Sequence, residues 1–152
     1  MKILVLCIAN FCRSPVAETI LRKMLDNNYE ILSAGLSPMP ISTMDKRSSD
    51  FLRCSGYMQQ PHTPRKLSSQ MIKSSDLILS MEFKIIEKLF NNKNAKNKDI
   101  KIFNYLDSSL DISDPYRIQD HDAYYKIMKD IEKASRLIAD KLNTDFNNEK
   151  NI

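Results

Sequence analysis

The chain has 152 residues, 42% hydrophobic and 28% charged, with a formal net charge of +4. That length suits one domain able to bury a core without disulfides or metals, and the proportions exclude a wholly disordered or membrane-embedded chain. No stretch approaches the roughly 20 apolar residues of a membrane span, no signal-peptide pattern precedes the first apolar run, and three cysteines cannot form a disulfide framework. The expectation is a cytoplasmic protein without membrane insertion.

The run "KILVLC", residues 2 to 7, reads as a strand covered on both faces. After a short loop, Ser14 suits an N-cap and Pro15 a first helical position. The helix that follows puts Val16, Ile20, Leu21 and Met24 on one face and closes at Asn27 and Asn28. "YEILSAG" predicts a second strand ending at Gly35, and "STMDKRSSDFLRCSG" a helix from Ser42 to Gly56 with Cys54 buried in it. "DLILSM" predicts a third strand, and "EFKIIEKLF" a helix with Phe83, Ile86, Leu89 and Phe90 on one face. The stretch "NNKNAKNK", residues 91 to 98, is a solvated loop; it lacks the aromatics a nucleic-acid surface would interleave, so no nucleic-acid partner is expected. "DIKIF" gives a fourth strand. The last helix runs from Asp122 to Leu142, with Tyr124, Ile127, Met128, Ile131, Ile138 and Leu142 inward. The domain is therefore drawn over residues 1–143, with 144–152 as a polar C-terminal tail.

Strands alternating with helices imply an α/β fold: a single three-layer domain with a four-stranded parallel sheet flanked by helices, its ligands gathering at the carboxyl ends of the strands. Cys7 to Ser14 lies at such an end, between strand 1 and helix 1. With Gly35 and Gly56 the only glycines, neither a dinucleotide loop nor a Walker A loop is possible, and no cofactor is expected.

Within "CIANFCRS", the backbone N–H groups of Ile8, Ala9, Asn10, Phe11 and Cys12 and those of the first helical turn would converge on one point at a helix N-terminus, a cup for a dianion. Arg13 adds a planar fork for two phosphate oxygens. Cys7, on the floor of that positive cup, is expected to be held as a thiolate able to attack phosphorus. No metal is expected, because Cys7 and Cys12 lack a second ligand pair and His62 and His121 show no ligand spacing. A leaving oxygen needs a proton donor on a nearby loop. Asp114, before Pro115 in "DISDPYR", is the leading candidate; Asp107 and Asp111 compete, and Asp114 alternatively only caps the turn. Cys12 either packs under the loop or waits as a resolving thiol for an oxidised Cys7.

Together, "VLCIANFCRSPVAE", "SAGL", "DLILSM" and "DPY" resemble, in this order, the low-molecular-weight protein tyrosine phosphatases, in their bacterial form, over residues 2 to about 142. The resemblance implies hydrolysis of phosphotyrosine through a cysteinyl-phosphate intermediate. It makes Cys7 the nucleophile, Arg13 the phosphate clamp, Asp114 the general acid and later base, and Ser14 the hydroxyl that stabilises the thiolate. By the same resemblance Asn10 holds the loop's unusual backbone, and Ser33 and His62 belong to the polar network supporting it. Ala9 replaces the family's usual glycine, which costs little only at negative φ. Met39 replaces the aromatic wall of eukaryotic members, leaving Tyr116 and Phe11 as ring faces for a phosphotyrosine. An aliphatic wall is reminiscent of bacterial members that act on autophosphorylated tyrosine kinases of polysaccharide export, so the implied partner is a phosphotyrosine-containing protein of that kind. Two rival readings are a thioredoxin-coupled arsenate reductase, disfavoured because no cysteine follows Cys54, and a non-catalytic phosphate-binding module.

Overall fold

The computed structural model describes residues 1–58 and 60–150. Four parallel strands, β1 (Lys2–Cys7), β2 (Glu30–Gly35), β3 (Leu77–Ser80) and β4 (Asp99–Ile102), lie in the order β2-β1-β3-β4. The register runs Leu6 opposite Ala34 on one side and Ser80 on the other, so β1 is paired along both edges. Alternation along the strands sorts side chains between two layers. Ile3, Val5, Cys7, Ile31, Leu77 and Leu79 face a core shared with α1 (Arg13–Met24), α2 (Lys46–Cys54) and α5 (His121–Lys150). Leu4, Leu6, Ala34 and Ile78 face the opposite layer, with Ile72 of α3 (Ser69–Ser74) and Ile85 and Leu89 of α4 (Phe83–Phe90). The expected three-layer domain with four parallel strands is the observed one.

Several expected details differ. Helix α1 begins at Arg13, with Cys12 as its cap residue, because the Ser14 hydroxyl turns into the loop instead of capping. It ends at Met24, short of the two asparagines. Helix α2 starts at Lys46 rather than at Ser42; its cap is Asp45, whose carboxylate accepts the Arg47 backbone N–H at 2.8 Å. Gly56 does stop it, at φ +79°. Cys54 is exposed, not buried, since α2 buries Ser48, Phe51 and Leu52 instead. On α4 the buried face is Ile85, Ile86 and Leu89, and Phe83 and Phe90 are exposed. Helix α3, not anticipated, is a six-residue element capped by the Ser68 hydroxyl on the Met71 N–H. The residues 91–98 hold a short 3-10 turn at Lys93–Ala95. The inward set of α5 is as expected, but the helix continues past Leu142 to Lys150, so the segment expected as a tail is helical that far; residues 151 and 152 lie outside the described residues. Among the described residues no helix is long and apolar enough to cross a membrane.

Candidate active site

Strand β1 delivers Cys7 to the carboxyl edge of the sheet, and residues 8–12 bend back into the N-terminus of α1. The bend is made by Asn10, at φ +49°, a left-handed conformation that asparagine tolerates better than most residues. Ala9 is not among the positive-φ residues, so its β-carbon is accommodated without that strain. The loop is pressed against β2 at Gly35. A β-carbon there would meet Ile8 O at 2.6 Å, Asn10 N at 2.8 Å and Ala9 C at 2.9 Å, all backbone atoms, which is why the position needs glycine.

Two donors converge on the Cys7 sulfur: the Asn10 backbone N–H at 3.2 Å and the Ser14 hydroxyl at 3.0 Å. The serine oxygen also accepts Asn10 Nδ2 at 2.9 Å, and with Cys7 as a thiolate, which has no hydrogen to give, the serine hydroxyl is the donor of the second bond. The same Nδ2 donates to Ser33 Oγ at 2.8 Å, and Ser33 in turn donates to Glu18. Arg65 closes the circuit, giving its backbone N–H to Asn10 Oδ1 at 2.7 Å and its guanidinium to the Ser33 carbonyl and to Glu18. His62 Nε2 donates to the Asn10 carbonyl at 3.0 Å. Burial pushes the His62 imidazole below its ordinary range, against the opposing pull of that carbonyl, which keeps it a neutral donor. Ser33 and His62 thus both bond to Asn10, one at its side chain and the other at its carbonyl.

Arg13 is 2% exposed. Its Nη1 donates to the Ile112 carbonyl and its Nη2 to Glu82 Oε1, each at 2.7 Å, so the guanidinium plane is fixed while its remaining hydrogens stay available to an anion. Burial would raise the Glu82 carboxyl, but bonds from Lys84 and Arg13 outweigh it and hold it below the usual carboxylate range. Asp114 Oδ2 approaches the same Arg13 nitrogen at 3.3 Å, with the carboxylate about half exposed, while Oδ1 accepts the Tyr116 N–H at 3.1 Å. Asp114 therefore caps its turn and also reaches the cup. Its competitors are engaged elsewhere: Asp111 accepts the first N–H of α4, from Phe83, and Asp107 pairs with Lys133.

Phe11, in the loop after β1, and Tyr116, two residues past Asp114, stand edge to face, ring centroids 6.0 Å apart at 71°. Met39 lies beside the loop, its N–H bonded to the Ala9 carbonyl at 3.0 Å. Cys12 is buried and its thiol donates to Asp45 Oδ2 at 3.6 Å. Burial first and the Asp45 charge second push that thiol far up, so it is held protonated. Glu82, Glu18, Arg65, Asp45 and Arg47 were not singled out from sequence. Two of them carried a signal: Glu18 closes the stretch "VLCIANFCRSPVAE", and Glu82 is an acid after a strand end where ligands gather.

Residues 2–148 match the sequence profile of the family described as low molecular weight phosphotyrosine protein phosphatase. A low molecular weight protein-tyrosine-phosphatase, Wzb of Salmonella typhi, is 31% identical over 144 residues, 95% of this chain and 95% of the relative. Etp of Escherichia coli strain K12, also a low molecular weight protein-tyrosine-phosphatase, is 32% identical over 141 residues, 93% and 94% of the two chains. Among solved structures, the tyrosine phosphatase Wzb from Escherichia coli K30 in complex with sulphate superposes with a TM-score of 0.84 at 32% identity, covering 93% of this chain and 97% of that one.

Proposed function

The chain belongs to the low molecular weight phosphotyrosine protein phosphatase family and is a phosphatase, and from that premise we propose that it hydrolyses protein phosphotyrosine through Cys7, Arg13 and Asp114. The observation carrying this reading is the convergence of the Asn10 N–H and the Ser14 hydroxyl on the Cys7 sulfur at the mouth of α1. Donors of that kind stabilise a thiolate and leave its lone pair aimed at whatever anion fills the cup.

In the first step the Cys7 thiolate bonds to phosphorus and the bond to the tyrosyl oxygen breaks. Asp114, entering protonated, gives its proton to that departing oxygen. Loop amides from Ile8 to Cys12, the start of α1 and Arg13 hold the charge spread over the three equatorial oxygens through the transition state. In the second step water attacks phosphorus, Asp114 takes its proton, and Cys7 leaves as thiolate with release of inorganic phosphate. Phe11 and Tyr116 flank the phenyl ring of the substrate, with Met39 as an aliphatic wall. That wall supports a finer reading: the substrate is an autophosphorylated bacterial tyrosine kinase of polysaccharide export, met in the cytoplasm. The sulphate complex of the Escherichia coli K30 relative is consistent with an anion in such a cup.

The test is rapid acid quenching during turnover of a phosphotyrosine peptide, followed by mass mapping of the 7–13 peptide. A phosphate adduct on Cys7 is the expected result, and turnover without any adduct overturns the covalent route. A purified autophosphorylated kinase set against phosphoserine proteins of similar charge tests the substrate.

A further inference from the structure

The acid loop carries no regular secondary structure from Leu110 to Asp120, and Asp114 is about half exposed. Something must hold it at the right distance from the cup, because a misplacement of about 1 Å can cost on the order of a hundredfold in rate. Beyond Asp114, the loop is gripped from outside at two carbonyls. Arg47 Nη1 donates to Ile118 O at 2.5 Å and Nη2 to Tyr116 O at 3.3 Å.

Arg47 is itself held on three sides. Nε and Nη2 donate to the two oxygens of Asp45, at 3.1 and 2.8 Å, and the guanidinium carbon stacks 4.0 Å above the Tyr124 ring. Asp45 is rooted in the phosphate-binding loop: its N–H bonds to the Phe11 carbonyl at 3.0 Å and its Oδ2 accepts the Cys12 thiol. Ser48 adds a bond to the Cys12 carbonyl at 3.1 Å and another, at 2.6 Å, with the Tyr124 hydroxyl. One side chain thus ties the loop of the nucleophile to the loop of the acid, through an ion pair whose carboxylate is buried. A planar cation with several donors suits this; lysine could not satisfy a carboxylate and two carbonyls in the same plane.

We infer that Arg47, oriented by Asp45, is a positioning residue for the general acid, setting the approach of Asp114 to the leaving oxygen without touching substrate. The inference rests on the assignment of Asp114 above. Because Arg47 acts on the proton donor, its loss should hurt most where the leaving group most needs a proton.

The experiment measures kcat/KM, which reports phosphoryl transfer to the enzyme, for aryl phosphates from phosphotyrosine to 2,4-dinitrophenyl phosphate, in wild type, Arg47→Met, Asp45→Asn, Asp114→Asn and the Arg47→Met/Asp114→Asn double variant. Asparagine caps a helix as well as aspartate does, so Asp45→Asn keeps α2 capped while weakening the hold on Arg47. Expected is a loss of about tenfold on phosphotyrosine in Arg47→Met, a smaller one in Asp45→Asn, and a change within about twofold on the dinitrophenyl ester. Inhibition by inorganic phosphate should be unaltered, and the Arg47 effect should vanish in the Asp114→Asn background. Equal loss across all leaving groups, weakened phosphate inhibition or no loss in Arg47→Met overturns the inference. Leaving-group selectivity in Asp114→Asn with none in Arg47→Met overturns it alone, whereas a flat response in Asp114→Asn removes the acid assignment and this inference with it.

Discussion

The cup around Cys7 and the loop around Asp114 meet at two guanidiniums, those of Arg13 and Arg47, yet they are held by opposite means. In the cup, Asn10, Ser14 and Ser33 have no exposed surface, and each of their side chains makes hydrogen bonds that fix the next. On the acid loop, Asp114 is half open to solvent and its carboxylate meets a backbone N–H within its own turn and the Arg13 guanidinium. The difference follows from what each region handles. Charge that develops on a phosphoryl group is stabilised best by dipoles already in place, since reorienting them during reaction costs energy. A group that gives a proton in one step and takes one in the next needs solvent access and room to admit water. Preorganisation belongs to the cup, and exchange with water to the loop.

The largest effect should come from the cup. Cys7→Ser removes the thiolate and is expected to reduce turnover to background, while phosphate or vanadate still binds to the amides and Arg13. Titration of the variant with vanadate beside an activity assay checks both halves, and residual turnover above a trace would break the contrast between a chemical floor and a binding wall. Asp114→Asn comes next, with a loss on the order of 10² to 10⁴ on phosphotyrosine and less on esters of acidic phenols. Equal loss on both would mean that the loop is as structural as the cup. Gly35→Ala attacks the cup from behind. Its β-carbon would sit within 3.0 Å of three backbone atoms of the loop, so the loop must shift. A stability loss of about 1 to 3 kcal/mol and a drop in kcat/KM approaching a hundredfold are expected, read by urea unfolding and by steady-state assay; an unchanged enzyme would mean the cup yields as easily as the acid loop.

The smallest effect is on pH dependence. Burial lowers His62 below its ordinary 6.5, so as pH falls the unfolded chain takes up that proton before the folded one does. The stability associated with neutral His62 is therefore complete above about pH 6.5 and declines as pH drops towards the folded value. Asp45 and Glu82, both lowered despite burial because Arg47 in one case and Lys84 with Arg13 in the other favour their charged forms, act with the same sign in a more acidic window. Urea midpoints at pH 7.5 and 5.5 should fall on acidification in wild type, and fall less in His62→Gln. An equal fall in both would remove His62 from the acid sensitivity of the cup.

Strands β1 and β3 were legible in the sequence because each is a nearly continuous apolar run buried on both faces, whereas β4, "DIKI" at the sheet edge, alternates charged with apolar residues. The helices were legible less evenly. "EFKIIEKLF" offers two faces with helical spacing, one through Phe83, Ile86 and Phe90 and another through Ile85, Ile86 and Leu89, and packing of α4 on the sheet decided between them. The "SSQMIKSS" stretch around α3 has too few apolar residues for any period to emerge. Ser14 looked like a cap because serine before proline usually is one; the sulfur seven residues earlier, which claims its hydroxyl, is visible only after folding. The same limit hid Glu82 and Arg47. Arg13 and Glu82 are 69 positions apart, and Arg47 and Ile118 are 71 apart. No local pattern records bonds of that span, whereas the two bonds onto the Cys7 sulfur come from Asn10 and Ser14, three and seven residues along the chain.

The position of β1 in the sheet has a consequence for how the molecule opens. It is flanked by β2 and β3 along its length, so exposing the amides of Leu4 to Leu6 means breaking ladders on both sides. Such amides should exchange with deuterium only through global unfolding, while those from Tyr116 to Ile118 should exchange through openings confined to their own segment. A population of molecules under mild denaturant would then pass through a form that has lost its proton relay but still captures phosphate, and affinity for the anion would outlast turnover.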